Sequence, residues 1–196
     1  MLSTNKKTIR KLILCLVSIP LASSLFSVEA TALSFSGGRP SANFTAYYTE
    51  SVSSYGYVSA YDDARFSWND TADSVNITRV LNANGTPDKY YVGVTSIATR
   101  LGQQEGFKRT STGGYIAATA NETWAYSNVS IYHNNIEKFG LTRQQIVSNA
   151  THEIGHSLAQ DHVPDNSTIN SVMRQGVQNI GPTSYDIISI RNKWGN

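Results

Sequence analysis

Three of the four histidines of this chain lie within eleven residues, at His152, His156 and His162, and Glu153 directly follows the first of them. Residues four apart on a helix project from the same face, so His152 and His156 could bind one metal ion. The third imidazole, six residues later, completes a set of three nitrogen ligands. A catalytic zinc ion typically has three protein ligands and an open position, whereas a structural zinc ion has four. The spacing therefore predicts a catalytic zinc site, with Glu153 placed beside a water molecule at the open position.

Two other interpretations of the histidine cluster remain open: a helix that carries surface histidines, and a zinc ion bound only for stability. An H-E-x-x-H motif with a third histidine at this offset assembles by chance at a frequency of roughly one in ten thousand or less. A structural zinc ion should have a fourth protein ligand, and none stands near the motif. Both interpretations are therefore weaker than a catalytic zinc.

The segment around the histidines resembles the metzincin zinc peptidases, in particular matrixin-like members of the secreted bacterial type. Their signature is H-E-x-x-H-x-x-G-x-x-H followed by a methionine turn, and the turn candidate here is Met173, eleven residues after His162. Residues 186–195 are similar to the last helix of matrixin-type members. The strong part of the resemblance covers residues 142–195, and the N-terminal half matches only in the expected order of its elements.

The resemblance implies a secreted zinc metalloendopeptidase that acts on proteins or peptides. It implies that His152, His156 and His162 hold one catalytic Zn²⁺ and that Met173 forms an apolar floor beneath the site. Glu153 would take a proton from water and later pass it to the leaving amine. Two other functions stay open: a secreted zinc-binding adhesion module or inactive homologue, and a zinc hydrolase of a cell-wall bond. Calcium binding is left undecided.

Three positions depart from the family pattern. Ala159 replaces the signature glycine, Val163 stands where matrixins usually have serine, and Gln175 stands where astacins and serralysins have tyrosine. An alanine forced to positive φ costs about 1–2 kcal/mol, so the turn that leads to His162 is expected to be strained or differently shaped. No cysteine-bearing propeptide motif is present, so no cysteine switch is expected.

Residues 1–30 have the pattern of a secretory signal peptide. Four basic residues precede an apolar stretch at 12–26, which is short and interrupted by Pro20. An uncleaved membrane anchor is the less favoured alternative. Without residues 1–30 the net charge changes from +2 to −1, so no nucleic-acid partner is expected. Residues 31–196 are predicted to form one extracellular catalytic domain, monomeric and without stable membrane association.

The fold class that the resemblance implies is α/β. We expect a five-stranded, twisted, mostly parallel sheet with an antiparallel edge strand, three helices, and a small C-terminal subdomain after His162. Hydrophobic patterning places the strands at 44–49, 75–78, 90–97, 115–119 and 128–133. Residues 102–106 are predicted to form a loop, and residues 31–41 a mobile N-terminal arm.

Apolar residues at helical spacing predict one helix over residues 57–68. Thr142 is a suitable N-cap for the helix that carries the histidines, with Gln145 at the capping-box position. His133 lies at the end of a predicted strand. It is expected to be a partly buried, hydrogen-bonded residue rather than a fourth metal ligand, although it could line the cleft.

Overall fold

The computed structural model describes residues 33–196, so the predicted signal peptide at 1–30 lies outside the described residues. The strands are β1 (Asn43–Tyr48), β2 (Asn76–Val80), β3 (Asp88–Gly93), β4 (Gly102–Arg109), β5 (Tyr115–Ala117) and β6 (Tyr126–Tyr132). The helices are α1 (Glu50–Ser54), α2 (Val58–Asn69), α3 (His133–Phe139), α4 (Arg143–Ser157) and α5 (Ser184–Trp194). Within this described part, no helix combines the length and the hydropathy that a membrane span requires.

The sheet has six strands in the order β2-β1-β3-β6-β4-β5, so the prediction of five strands is wrong. Strands β2, β1, β3 and β6 run parallel, and β4 is antiparallel to both of its neighbours. The predicted loop at 102–106 is the first half of β4, which pairs with β6 from Gly102↔Ile131 to Phe107↔Tyr126. This half is rich in glycine and glutamine and has no hydrophobic alternation, so its sequence does not predict a strand. It is a strand because backbone pairing with β6 stabilises it.

Five helices are present among the described residues, where three were expected. The short helices α1 and α3 are additional. The strand that was expected to end at His133 ends at Tyr132, and His133 begins α3. His133 is half-buried, and its Nδ1 lies 2.9 Å from the hydroxyl oxygen of Tyr57, which agrees with a hydrogen-bonded role. It does not line the cleft described below.

Helices α2 and α4 pack against each other and against one face of the sheet. Trp68 of α2 is fully buried, and its Nε1 donates a 2.8 Å hydrogen bond to the carbonyl oxygen of Thr151 in α4. Replacing a buried tryptophan by alanine typically costs about 3–5 kcal/mol. The core therefore fixes α4, which carries two of the three clustered histidines, with respect to the sheet.

Residues 33–39, here called the strap, are packed against the rest of the chain, so the prediction of a mobile arm is wrong for them. Ser34 forms an antiparallel bridge with Gln160, and Gly38 bridges Thr123. A Cβ atom on Gly37 would lie 2.3 Å from the carbonyl oxygen of Glu122. The absence of a side chain at Gly37 allows this close backbone approach.

Candidate metal centre and cleft

Helix α4 begins as the sequence predicts and ends at the histidine cluster. The hydroxyl of Thr142 accepts from the backbone N–H of Gln145, whose side chain accepts from the Thr142 backbone N–H. Such a capping box satisfies two of the free amides at a helix N-terminus. Three turns later His152 and His156 share one face of α4, while His162 approaches from the chain that follows the helix.

The three imidazoles converge through their Nε2 atoms. The Nε2 atom of His152 lies 3.0 Å from that of His162 and 3.2 Å from that of His156. The Nε2 atoms of His156 and His162 are 3.1 Å apart. The outer Nδ1 atoms have other contacts. Nδ1 of His152 donates to the carbonyl oxygen of Val172, and Nδ1 of His156 donates to the carbonyl oxygen of Gln160, each at 2.8 Å. Nδ1 of His162 lies 3.2 Å from the side-chain amide of Gln175.

This arrangement fits a zinc ion. Nitrogen ligands at about 2.0–2.1 Å in tetrahedral geometry are about 3.3 Å apart, close to the Nε2 spacing. An Nδ1–H that donates to a carbonyl leaves the Nε2 lone pair free, so the two α4 histidines direct lone pairs at a common point. Burial lowers the pKa of His152 to about 4 and the pKa of His156 well below its ordinary value, which keeps both imidazoles in the neutral, metal-binding form. The three histidines could therefore hold a metal ion, compatible with zinc.

The turn between α4 and His162 forms despite the missing glycine. Ala159 has φ of 61°, and it is the one non-glycine residue at positive φ in the part of the chain that the structure describes. Its N–H donates to the carbonyl oxygen of His156, and the N–H of Gln160 donates to that of Gly155. The expectation of a strained turn is confirmed, and the alanine adopts the conformation that a glycine would take.

Met173 lies in a buried turn against α4. A Cβ atom on Gly155 would lie 2.4 Å from the sulfur of Met173, so a glycine at this position lets helix and turn touch. Asp186, at the start of α5, accepts from the hydroxyl of Ser171 and the N–H of Val172, and also from the N–H of Thr183. Asp186 therefore both caps α5 and ties it to the methionine turn.

Glu153 is buried between α4 and the start of β4. A Cβ atom on Gly102 would lie 2.6 Å from the carboxylate of Glu153, so only a glycine allows this approach. Burial raises the pKa of Glu153 to about 8, while a hydrogen bond from the Gln104 backbone amide and the charge of Arg100 act in the opposite direction. Gly102, Gln104 and Arg100 were not identified from the sequence, because their proximity to Glu153 exists only after β4 joins the sheet.

An open cleft of about 530 Å³ contains the three histidines and Glu153. Its walls are Ile97 with residues 99–104, the side of α4 that carries Asn149 and His152, and residues 175–178. Six of the lining residues carry side-chain amides, and Arg100 is the one lysine or arginine among them. The arrangement is a polar groove that could admit an extended chain, and the three histidines and the buried Glu153 are among its lining residues.

No family model matches the chain, and no curated protein matches it. Among solved structures, it is similar to a chain of the GM1-bound form of the ECX AB5 holotoxin, with 13% identity and a TM-score of 0.47 over 83% of this chain and 84% of the other. It is also similar to myroilysin, with 12% identity and a TM-score of 0.48 over 84% of this chain and 98% of the other. Function is therefore inferred from the geometry of the site alone.

Proposed function

We propose that the protein is a zinc-dependent endopeptidase. One observation carries the proposal: the Nε2 atoms of His152, His156 and His162 converge at 3.0–3.2 Å in a cleft that also holds the carboxyl group of Glu153. Three imidazoles leave one position of a tetrahedral zinc site open. A binding module has no need of a buried carboxyl group in the same cleft, which favours catalysis over adhesion.

Glu153 would act as the general base and then as the general acid. When bound, zinc lowers the pKa of a water molecule to about 7 and polarises the carbonyl group of the scissile bond. The charge of a bound zinc ion would favour the ionised form of Glu153 in spite of its burial. Glu153 would then accept a proton of the attacking water on a carboxylate oxygen and deliver it to the nitrogen of the leaving amine. Its close packing against Gly102 limits the movement of the carboxyl group, and the residue is buried.

The open half of β4 offers a surface for an extended peptide. Strand β5 pairs only with the second half of β4, from Phe107 to Arg109, whereas residues 102–104 line the cleft. Backbone groups at an unpaired strand edge can bind a peptide as an additional strand. Strand β6 cannot offer such an edge, because it lies between β3 and β4.

The remaining parts of the proposal rest on the sequence. Residues 1–30 would direct secretion and be removed, which leaves residues 31–196 as an extracellular, monomeric catalytic domain. Its substrate would be a protein or peptide, with no nucleic-acid partner and no stable membrane association. The competing functions are a zinc-binding adhesion module and a hydrolase of a cell-wall bond.

A peptide library tests the proposal directly. Zinc-loaded protein should cleave internal peptide bonds, and the zinc-loaded Glu153→Gln variant should not. Casein and cell-wall overlays run in parallel separate a peptidase from a cell-wall hydrolase. Clearing of the cell-wall overlay alone would favour the hydrolase, and zinc binding without cleavage of either substrate would favour the adhesion module.

A further inference from the structure

We infer that the strap, residues 33–39, is the element that holds the metal centre in its binding geometry, with Phe35 as a positioning residue for the ligand His156. The inference rests on the proposed metal site and extends it to a segment that supplies no ligand. Four independent contacts of the strap support it.

The first contact is backbone pairing with the turn that follows α4. The N–H of Phe35 donates to the carbonyl oxygen of Ala159 at 2.8 Å, and the N–H of Asp161 donates to that of Leu33 at 3.1 Å. Gln160 lies between these two hydrogen bonds, and its carbonyl oxygen accepts from Nδ1 of His156 at 2.8 Å. The strap thereby fixes the acceptor that orients the imidazole of His156, and such outer partners tune metal sites.

The second contact is ring stacking. The rings of Phe35 and His156 have centroids 5.7 Å apart and planes inclined by 17°, an offset-stacked pair. The rings of Phe35 and Trp124 form an edge-to-face pair, with centroids 6.3 Å apart. Phe35 therefore packs between a buried tryptophan and the imidazole, and it opposes rotation of the imidazole away from the point where the Nε2 atoms converge.

The third contact accommodates the strained alanine. A Cβ atom on Gly38 would lie 2.7 Å from the Cβ of Ala159. The methyl group of Ala159 therefore fits only because position 38 has no side chain. The family signature has glycine at the position of Ala159. A left-handed alanine costs about 1–2 kcal/mol and persists only where surrounding contacts over-determine it. The strap supplies those contacts.

The fourth contact attaches the strap away from the metal. The ammonium group of Lys193 in α5 donates to the carbonyl oxygens of Phe35 and Gly37 at 2.7 and 3.1 Å. The guanidinium of Arg39 pairs with the fully buried carboxylate of Asp88 in β3. Because these attachments involve no metal ligand, the strap can hold His156 and the turn in place before a metal ion binds.

Zinc affinity and the visible spectrum of the cobalt(II)-substituted protein test the inference, since neither depends on catalysis. Phe35→Ala should weaken zinc binding, measured by chelator competition, by about 10–100-fold, the range for loss of an outer partner of a metal ligand. It should also change the cobalt spectrum, because the geometry of the imidazole ligands changes. Phe35→Tyr keeps the ring and should restore both.

Phe107→Ala is the matched control. Phe107 is also a half-buried aromatic residue in a stacked pair, with the ring of Tyr126 at 5.1 Å, and it does not line the cleft. Its loss should lower the melting temperature without changing zinc affinity. Wild-type zinc affinity and an unchanged cobalt spectrum in Phe35→Ala would overturn the inference, as would an equal loss of affinity in Phe107→Ala.

The outcome for the proposed function can be read separately. A wild-type protein that binds zinc and cleaves nothing would refute the peptidase and leave the role of the strap to be decided by the affinities above. A wild-type protein that binds no zinc would refute both.

Discussion

Helix α4 and the strap meet at the turn around Gln160, and they contribute different kinds of groups to the proposed metal centre. Helix α4 supplies side chains that can do chemistry, His152, Glu153 and His156, on a backbone that its own hydrogen bonds hold. The strap supplies backbone amides and carbonyls, one ring and a glycine. In our proposal the two ligands on α4 and the contacts that set their geometry come from separate parts of the chain, so substitutions in the two regions should have different effects.

His156→Ala should remove metal binding, activity and stability together, because it deletes a ligand and metal binding is coupled to folding. Zinc affinity should fall by more than the roughly 10–100-fold expected for an outer partner such as Phe35. Metal content after dialysis and the melting temperature with and without zinc would measure this. Full zinc occupancy in the variant would show that His156 is not a ligand.

Glu153→Gln should instead separate binding from chemistry. The variant keeps a side chain of nearly the same shape beside Gly102, so zinc content and melting temperature should stay close to those of the wild type. Peptide cleavage should fall by at least about 10²–10⁴-fold, as is typical when a general acid–base group is lost. Near wild-type turnover, measured on a fluorogenic peptide, would refute the proposed mechanism.

Arg39→Ala tests the attachment of the strap to the sheet. Arg39 and Asp88 have side chains that are 9% and 0% exposed, and breaking a buried ion pair typically costs about 3–5 kcal/mol. Burial raises the pKa of Asp88 to about 6 in spite of Arg39. Because the pKa of Asp88 is higher in the folded protein than in the unfolded chain, Asp88 contributes to folding stability at low pH. This contribution is lost as the pH rises through the pKa of Asp88 in the folded protein.

Because removal of Arg39 raises that pKa further, the destabilisation should be larger at pH 8 than at pH 5. Urea unfolding at both pH values would measure it. Arg143→Ala is the control, since its ion pair with Asp63 has side chains that are 49% and 60% exposed and should contribute less than about 1 kcal/mol. Equal destabilisation of Arg39→Ala at both pH values would contradict the assignment to Asp88.

Gly38→Ala tests the contact between strap and turn. It should destabilise the protein because position 38 has φ of +124° and because the new methyl group would lie 2.7 Å from Cβ of Ala159. In an Ala159→Gly background the second penalty disappears, so a double-mutant cycle should give a coupling of about 0.5–3 kcal/mol. Gly56→Ala, at φ of +78° with no atom within 4 Å, should show no coupling to Ala159→Gly. Additive effects of the Gly38 and Ala159 substitutions would exclude the proposed contact.

The part of the fold that follows from the sequence is local. The capping box at Thr142 and Gln145, the shared helix face of His152 and His156, and the strained turn at Ala159 all depend on residues close together in the chain. Short-range geometry decides such features, because a helix places residues four apart on one face whatever the rest of the protein does. The predicted number of strands was wrong because the prediction used only local sequence, and nothing within residues 102–106 predicts a strand.

Composition and spacing by themselves determined which residues could bind a metal, where their helix begins and that its end is strained. Tertiary structure alone decided that residues 102–106 become the strand beside Glu153, that His133 lies outside the cleft, and that the glycine-rich strap packs against Ala159. These features depend on backbone hydrogen bonds and close approaches between residues distant in sequence, such as Leu33 with Asp161. A glycine or glutamine carries no local preference that reveals such a partner, so only the folded chain specifies it.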